Sequence, residues 1–340
     1  MKKLVKLSSD LSGLLPGELV ERTVTQQLFP SIEKDRVITQ KIEAAAQQVP
    51  TQHRLYNADA RRMTFLADES VHLALTSPPY WTLKEYDGVH GQLGDVEDYE
   101  GFLTELDRVW SSCCAALVPC GRLICVVGDV CLSRRRNAGV HEVVPLHASI
   151  QERCRRIGFT NLAPIIWHKI ANAAFESGGK AGGFLGKPYE PNAVIKNDIE
   201  FVLMLRKPGG YRTPTVPERL LSVIPEALHK AWFQQVWTGL AGASTKDHPA
   251  PYPLELAERL VRMFSFVGDT VLDPFLGTGT TCLAAAKWGR NSIGVEISAE
   301  YAELAHRRFE RGVGGLFGVT TVEYIPGGSR ESSFACGSGF

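Results

Sequence analysis

Thr270-Val271-Leu272-Asp273 is a short apolar run ending in an acid. Pro274-Phe275-Leu276-Gly277-Thr278-Gly279-Thr280-Thr281 follows, and Cys282 to Trp288 reads as helix. Strand, glycine loop and helix in succession place the chain among α/β proteins with a parallel sheet. Glycines in such a loop let a ligand approach the backbone and the N-terminal amides of the helix. Seventeen residues after Gly279, the strand Ser292-Ile293-Gly294-Val295 ends in Glu296. An acidic side chain there can accept both hydroxyls of a ribose. The third glycine of a dinucleotide fingerprint is absent, because Cys282 stands where it would fall. A nucleoside without a pyrophosphate therefore fits better than a dinucleotide.

A second stretch carries different chemistry. Val71-His72-Leu73-Ala74-Leu75 reads as a buried strand, and Thr76-Ser77-Pro78-Pro79-Tyr80-Trp81 leaves it. Two prolines fix two φ angles and remove two backbone donors, and Ser77 before them is pushed to extended geometry. The loop offers carbonyl acceptors, one hydroxyl and an aromatic face, which suits a flat ring bearing an amino group. Taken alone, the same residues also describe a rigid turn with a packed tyrosine.

TSPPY followed by DPFLGTGTT resembles the amino-methylating DNA methyltransferases of the permuted, or β, class. The resemblance runs from about Tyr56 to Phe309. SPPYWTLKEYDGVHGQLG is similar to the family's catalytic loop and its continuation, and LVPCGRLICVVGD to the turn, strand and Gly-Asp that follow. DHPAPYPLELAERLV is similar to the His-Pro segment and helix that precede the cofactor loop. The joint order of these segments is specific. It implies a Rossmann-like fold that uses S-adenosylmethionine (AdoMet), with a seven-stranded, mostly parallel sheet and a small target-recognition insertion. The family order would begin at residue 270, so the chain reads as a circular permutation.

The resemblance also implies roles. Ser77, Pro78, Pro79 and Tyr80 become the catalytic set. Asp59, Thr76, Asp273, Phe275, Gly277, Gly279, Thr280, Thr281 and Glu296, with His248 and Pro249, become the cofactor set. Asp59 would lie near the adenine, although it can equally cap a helix starting near Ala60. The reaction would be direct methyl transfer to an exocyclic amine of a base flipped from the duplex. Family members with serine at this position mostly make N4-methylcytosine, and aspartate or asparagine commonly goes with N6-methyladenine. The expectation is therefore cytosine N4, with adenine N6 as the alternative. An RNA or protein amine methyltransferase and a non-catalytic nucleic-acid-binding relative are the other classes left open.

Composition excludes more than it identifies. At 340 residues the chain suits one α/β domain with insertions. Lysine plus arginine and aspartate plus glutamate each number 37, which argues against a histone-like coat but not against a local basic face. No apolar run is long enough to span a bilayer, and the basic start lacks the apolar core of a secretory signal. Eight cysteines without CxxC spacing suggest neither zinc nor a disulfide frame, so a cytoplasmic protein with reduced thiols and no metal is expected. Pro119-Cys120 imitates the nucleophile of cytosine-C5 enzymes, but it precedes a strand rather than following one, and Cys120 reads as a turn residue.

Strands are expected at 53–58, 71–76, 122–127, 162–167, 199–205, 270–273 and 291–296. Ser77 and Asp273, 196 residues apart, would then stand on adjacent central strands. Residues 1–50 read as a helical extension that decorates the core or meets a second copy in a homodimer. The catalytic part spans 51–207 and the cofactor-binding part 248–311. A glycine-rich loop at 168–197 and the segment 208–247 fit no core pattern and would share recognition of double-stranded DNA. Candidate DNA contacts are the aromatic Trp81, and Arg134, Arg135, Arg136, Lys180, Lys187, Arg212, Gln234 and Gln235, basic and amide types that meet phosphates or base edges. A cognate restriction endonuclease is a further partner such an enzyme can have. The glycine- and serine-rich tail, 312–340, is expected to fray.

Overall fold

A computed structural model describes residues 11–20, 28–81, 91–132, 137–169, 197–242, 252–313 and 319–327. In chain order the strands are β1 (Thr51–Asn57), β2 (Val71–Thr76), β3 (Leu117–Val127), β4 (Val130–Leu132), β5 (Glu142–Val144), β6 (Thr160–His168), β7 (Ile199–Arg206), β8 (Val236–Trp237), β9 (Thr270–Asp273), β10 (Asn291–Glu296) and β11 (Thr320–Ile325). Among the described residues nine of them form one sheet, ordered β11-β1-β10-β9-β2-β3-β7-β6-β8, and β4 pairs with β5 separately. Only β7 runs against its neighbours in that sheet. The central strands are apolar on both faces because helices cover both: every residue of β9 is buried, and five of six in β2.

The helices are α1 (Gly17–Val20), α2 (Phe29–Lys34), α3 (Arg36–Ala46), α4 (Tyr99–Ala116), α5 (Leu146–Ile157), α6 (Val216–Leu221), α7 (Glu226–Trp232), α8 (Leu254–Phe264), α9 (Thr280–Lys287) and α10 (Ala299–Val313). On one side of the sheet, Phe102, Leu106, Val109 and Trp110 of α4 bury their stripe against β2, β3 and β9. On the other, α8 and α9 bury Leu256, Leu260, Ala284 and Ala285. Among the described residues no helix is long and apolar enough to cross a membrane.

All seven expected strands are present, with β2 and β9 adjacent, Leu73 opposite Val271 and Ala74 opposite Leu272. The sheet is nevertheless wider than expected. Val236–Trp237 is too short to show a period, yet it pairs with Ile166 and Trp167 of β6. The tail does not simply fray. Thr320–Ile325 alternates β-branched and aromatic residues with polar ones, and it docks parallel to β1. Its Val322 and Tyr324 pack with Leu55 and Phe309. Ending the chain before Thr320 is therefore expected to bare the edge of β1 and lower the thermal midpoint by about 4 °C or more, as read by calorimetry. An unchanged midpoint would mean that β11 contributes nothing to the fold.

The N-terminal helices pack against the core as decoration. Leu19, Ile32, Ile38 and Ile42 bury against Leu220 and Val223. Glu43 pairs with Arg262 on α8 at 2.6 Å. Helix α5 begins only at Leu146, because residues 142–144 pair with β4 and Pro145 precedes its first turn. Cys120 has a positive φ of 62°, a kink inside β3 at the amino-terminal end of the sheet. The turn expected at Pro119-Cys120-Gly121 is a bend within the strand, at the opposite end of the sheet from Ser77.

Candidate active site

Asn57, Thr76, Asp273 and Glu296 end four adjacent parallel strands, and the loops that leave them open toward one cleft of about 720 Å³. Ser77, Pro78 and Pro79 form one wall. Pro274, Phe275 and Gly277 form the next, Glu296 and Ile297 the third, and Ala58 to Arg61 the fourth. Gly91 to Gly94, in the chain just beyond the proline loop, also line it. The proline loop and the glycine loop thus share a cavity, as the placement of their strands requires.

Beneath the cleft lies a polar tie. Asp273 is 1 % exposed. Its Oδ1 accepts from Thr76 Oγ1 at 2.7 Å and from the Phe275 amide at 3.1 Å, and its Oδ2 accepts from Thr281 Oγ1 at 2.5 Å. Tyr252 bonds to the same Thr281 hydroxyl. Burial pushes the Asp273 carboxyl above its ordinary range, and these donors oppose the shift. Thr76, Asp273 and Thr281 were expected to touch the cofactor. They lie under the cleft instead and fasten the two loops to each other, because their polar atoms are satisfied internally.

Two more of the expected cofactor residues have other work. Gly279 stands at φ +84°, and a Cβ there would come within 3.2 Å of the Ala305 Cβ on α10, so its missing side chain serves helix packing. Thr280 Oγ1 accepts from Arg308 at 3.1 Å. Gly277 and Phe275 do line the cleft. Glu296 lines it too, and its carboxylate holds the loop, with Oε2 accepting from the Gly277 amide at 2.8 Å and Oε1 from the Ser298 amide at 2.9 Å. Burial, with the charge of Asp273 adding, pushes Glu296 up to about 7, although the amides pull the other way.

Asp59 lines the cleft, but its acceptors are spent. Oδ1 takes the Arg61 amide at 2.9 Å and Arg61 Nε at 2.8 Å, while Oδ2 takes Nε at 2.9 Å and pairs with Nη2 at 2.7 Å. Burial alone would raise its pKa, but the bonds and charge of Arg61, with the charge of Arg62, hold it below the ordinary value. The capping role is realised, and the adenine-accepting role is not supported. Arg61, which the sequence did not single out, continues to Glu105 on α4 at 2.9 Å and to the Gly91 carbonyl at 3.1 Å. Gln92, next to Gly91, is 8 % exposed, and its Oε1 has no hydrogen-bond partner among the described residues.

The aromatic pair after the prolines divides. Tyr80 is 9 % exposed, and its ring packs over Gly128, where a Cβ would lie 3.4 Å from Tyr80 Cε1. Trp81 turns inward with φ +38°, donates Nε1–H to the Val96 carbonyl at 2.9 Å and lies 5.0 Å from the Tyr99 ring. In this arrangement it packs, and its indole N–H is taken by protein, not left for DNA. Beside Tyr80, Asp129 bonds His147 Nδ1 at 2.6 Å, a pair the sequence did not announce because 18 residues separate them.

Arg212, too, is engaged within the protein. It grips Asp269 with both terminal nitrogens, at 2.7 and 2.6 Å. Asp269 precedes β9, so this pair sits at the amino-terminal edge of the sheet, away from the cleft. Gln234 donates to the Lys230 carbonyl at 2.9 Å, and Gln235 precedes the outermost strand, β8. Neither lines the cleft. Arg134, Arg135, Arg136, Lys180, Lys187, His248 and Pro249 lie outside the described residues. Burial pushes the Cys113, Cys125 and Cys282 thiols up, which suits packing and not nucleophilic attack.

A mostly parallel sheet with a nucleoside-sized cleft at its carboxyl edge, flanked by a proline-stiffened loop, defines an α/β methyltransferase class. Residues 71–307 match the DNA methylase family of N6 and N4 type, and the chain belongs to that family. It is 36% identical over 281 residues to the type II methyltransferase M.MjaI of Methanocaldococcus jannaschii, covering 73% of this chain and 88% of that one. Type II methyltransferase M.MthZI of Methanothermobacter thermautotrophicus is 35% identical, covering 76% of each. Among solved structures, a protein of Thermus thermophilus assigned as a DNA modification methylase, complexed with S-adenosyl-L-methionine, is 51% identical with a TM-score of 0.67, covering 82% of this chain and all of that one. The PvuII cytosine-N4-specific DNA methyltransferase, 19% identical with a TM-score of 0.55, shares the fold.

Proposed function

We propose that this DNA methyltransferase moves a methyl group from AdoMet to the exocyclic N4 of cytosine in double-stranded DNA. The observation that carries the reading is the single cleft shared by Ser77-Pro78-Pro79 and by Gly277 and Glu296. The cleft also suits the cofactor chemically. Its acids are Asp59 and Glu296, its one lining cation among the described residues, Arg61, is paired, and its Phe275, Val109 and Val295 walls are apolar. Such a site favours a cationic nucleoside over a pyrophosphate. Glu296 would receive the ribose hydroxyls, while Phe275 and the Gly277 backbone would bound the sugar.

AdoMet supplies an electrophilic methyl on a sulfonium. The protein has to prepare the amine, whose lone pair is conjugated with the ring and therefore weakly nucleophilic. Ser77 Oγ and the Pro78 carbonyl would accept from its two N–H groups and shift it toward a tetrahedral form, with in-line placement contributing much of the rate. Tyr80 would stack on the flipped base. The serine supports cytosine N4, and the order of the two loops supports a permuted, β-class enzyme. Residues 134–136, 168–197 and 208–247 remain the proposed DNA-facing segments, without Arg212, and Trp81 of the proline loop is no longer among the proposed contacts. Mass spectrometry of nucleosides from DNA of cells expressing the protein tests this: N4-methylcytosine is expected, and N6-methyladenine instead would overturn the base assignment.

Glu296 gives a pH prediction. Ribose hydroxyls donate to the ionised carboxylate, and in the free protein that carboxyl titrates at about 7. AdoMet affinity is therefore expected to rise between about pH 6 and 8 and to fall by up to about tenfold per pH unit below that. Glu296→Gln should flatten the profile, as read by calorimetry. A wild-type profile that is already flat would remove Glu296 from the ribose. The same proton acts on the fold with the opposite preference. The folded chain holds it more tightly than the unfolded one, so this contribution to stability is present below about 4.5 and lost as pH rises through about 7.

A further inference from the structure

A second groove, of about 1360 Å³, opens at the amino-terminal edge of the sheet, away from the catalytic cleft. Arg122 of β3 lines it, with Tyr211 from the segment between β7 and α6, Arg219 from α6, Phe233 at the end of α7 and Phe264 at the end of α8. No described residue lines both cavities. Nothing in the methyl-transfer chemistry uses this groove.

Its charge is one-sided. Among the described lining residues four are arginines, and one, Glu33, is an acid. Arg212 and Arg262 have counterions, in Asp269 and Glu43. Arg219 lies over the Phe29 ring at 4.3 Å. Arg122 lies over the Phe264 ring at 5.4 Å, and among the described residues no carboxylate pairs with it. Its direct partner across the β3–β7 ladder is another arginine, Arg206. Like charges directly opposed destabilise a strand pair, and a partly buried cation without a counterion adds a desolvation cost. Burial, joined by the charges of Arg206 and Arg212, lowers the Arg122 pKa, with Cys120 and Tyr211 opposing. An anion in the groove relieves both costs.

The groove also carries rings that reach solvent. Tyr211 is 80 % exposed and Phe233 48 %, so both are open to a ligand. Tyr211 lies close enough to Arg122 to act on its charge. A cationic groove with exposed rings holds a phosphate backbone while successive bases stack on the rings. Bases inside a duplex have no free face, so the arrangement suits an unpaired strand. An acidic peptide would satisfy the arginines and leave the two rings without a use. We propose that this groove binds single-stranded nucleic acid, with phosphates at Arg122 and Arg219 and bases stacked on Tyr211 and Phe233. The proposal goes beyond the methyl-transfer reading and does not depend on it.

The probe is a short fluorescent oligothymidylate added to the full chain, because thymine has no exocyclic amine to be methylated. Fluorescence anisotropy is expected to show salt-dependent binding. Tyr211→Ala combined with Phe233→Ala should weaken it by about tenfold or more. Arg122→Gln should lower the slope of log affinity against log salt by about 0.7. Hydrogen exchange should show protection of residues 206–233 when the oligomer is added to wild type. AdoMet calorimetry on each variant controls for the fold, and its failure in wild type bears on the cleft alone. No binding of the oligomer, an affinity unchanged in the double variant, a salt slope unchanged in Arg122→Gln, or protection confined to residues 77–81 overturns the proposal. So does displacement by polyglutamate as effective as by unlabelled oligomer, which would make the groove a site for an acidic peptide. Thymidine monophosphate binding as tightly as the oligomer would overturn the strand in favour of a single nucleotide.

Discussion

Replacing Ser77 by alanine is expected to slow methyl transfer to DNA by about a hundredfold or more while leaving the AdoMet dissociation constant within about threefold of wild type. Ser77 lies in the cleft wall to which the proposed reaction assigns the amine, and it takes no part in the Thr76–Asp273–Thr281 tie that shapes the floor. Its loss should therefore be felt where the amine pyramidalises and not where the nucleoside binds. Tyr80→Ala should also suppress transfer, but it is a less clean experiment. The ring is buried against Gly128, and removing it leaves a cavity worth about 3 kcal/mol or more of stability. Ser77→Ala removes one oxygen and little volume. Single-turnover transfer with radiolabelled AdoMet, run beside calorimetry, separates the two effects. Wild-type transfer in Ser77→Ala would withdraw the hydroxyl from the reaction and leave the Pro78 carbonyl as the remaining acceptor.

What could be read from the chain was what neighbouring residues do together. Ser77-Pro78-Pro79 and Phe275 to Gly279 are contiguous stretches whose backbone chemistry needs no distant partner. The apolar strands that carry them were legible for the same reason, as was the adjacency of β2 and β9. Side chains whose task depends on a remote residue were not legible. Arg212 is of a type that reads bases, but Asp269, 57 residues on, takes both of its nitrogens. Trp81 has the shape of a DNA wedge, yet the Val96 carbonyl waits for its N–H. Asp59 lines the cleft as its place after β1 implies, but Arg61, two residues later, folds back onto it and bonds both of its oxygens. Arg61 and Gln92 went unnoticed although both line the cleft. The bond from Arg61 to Glu105 crosses 44 residues, and nothing local in GQLG says that the Gln92 amide oxygen will be buried without a partner among the described residues. The edge strand at 320–325 was missed for a different reason. Its alternation is short and is flanked by glycine and serine, and its pairing partner β1 lies some 270 residues earlier in the chain.

The second large effect is expected at Asp273, where the fold and the site are the same object. Asp273→Ala should cost about 3 kcal/mol or more of stability and abolish measurable AdoMet binding in whatever protein remains folded. Three donors converge on this carboxylate from three places: Thr76 at the root of the proline loop, the Phe275 amide within the glycine loop, and Thr281 in the first turn of α9. Alanine strands all of them in a dry interior. Asp273→Asn is the more informative variant, because it keeps the shape and removes the charge. Its amide has one accepting oxygen and a donor, so at least one of the three donors meets another donor. The expected result is a folded protein whose AdoMet affinity falls by about tenfold or more, since Phe275 and Gly277 are placed by that loop. Thr76→Val provides the control from the other strand. It unfastens the proline loop while leaving the glycine loop anchored, so transfer should suffer more than binding. If Asp273→Asn bound AdoMet as wild type does, the tie would be a feature of packing alone, and the alignment of the two loops would have to come from the sheet register.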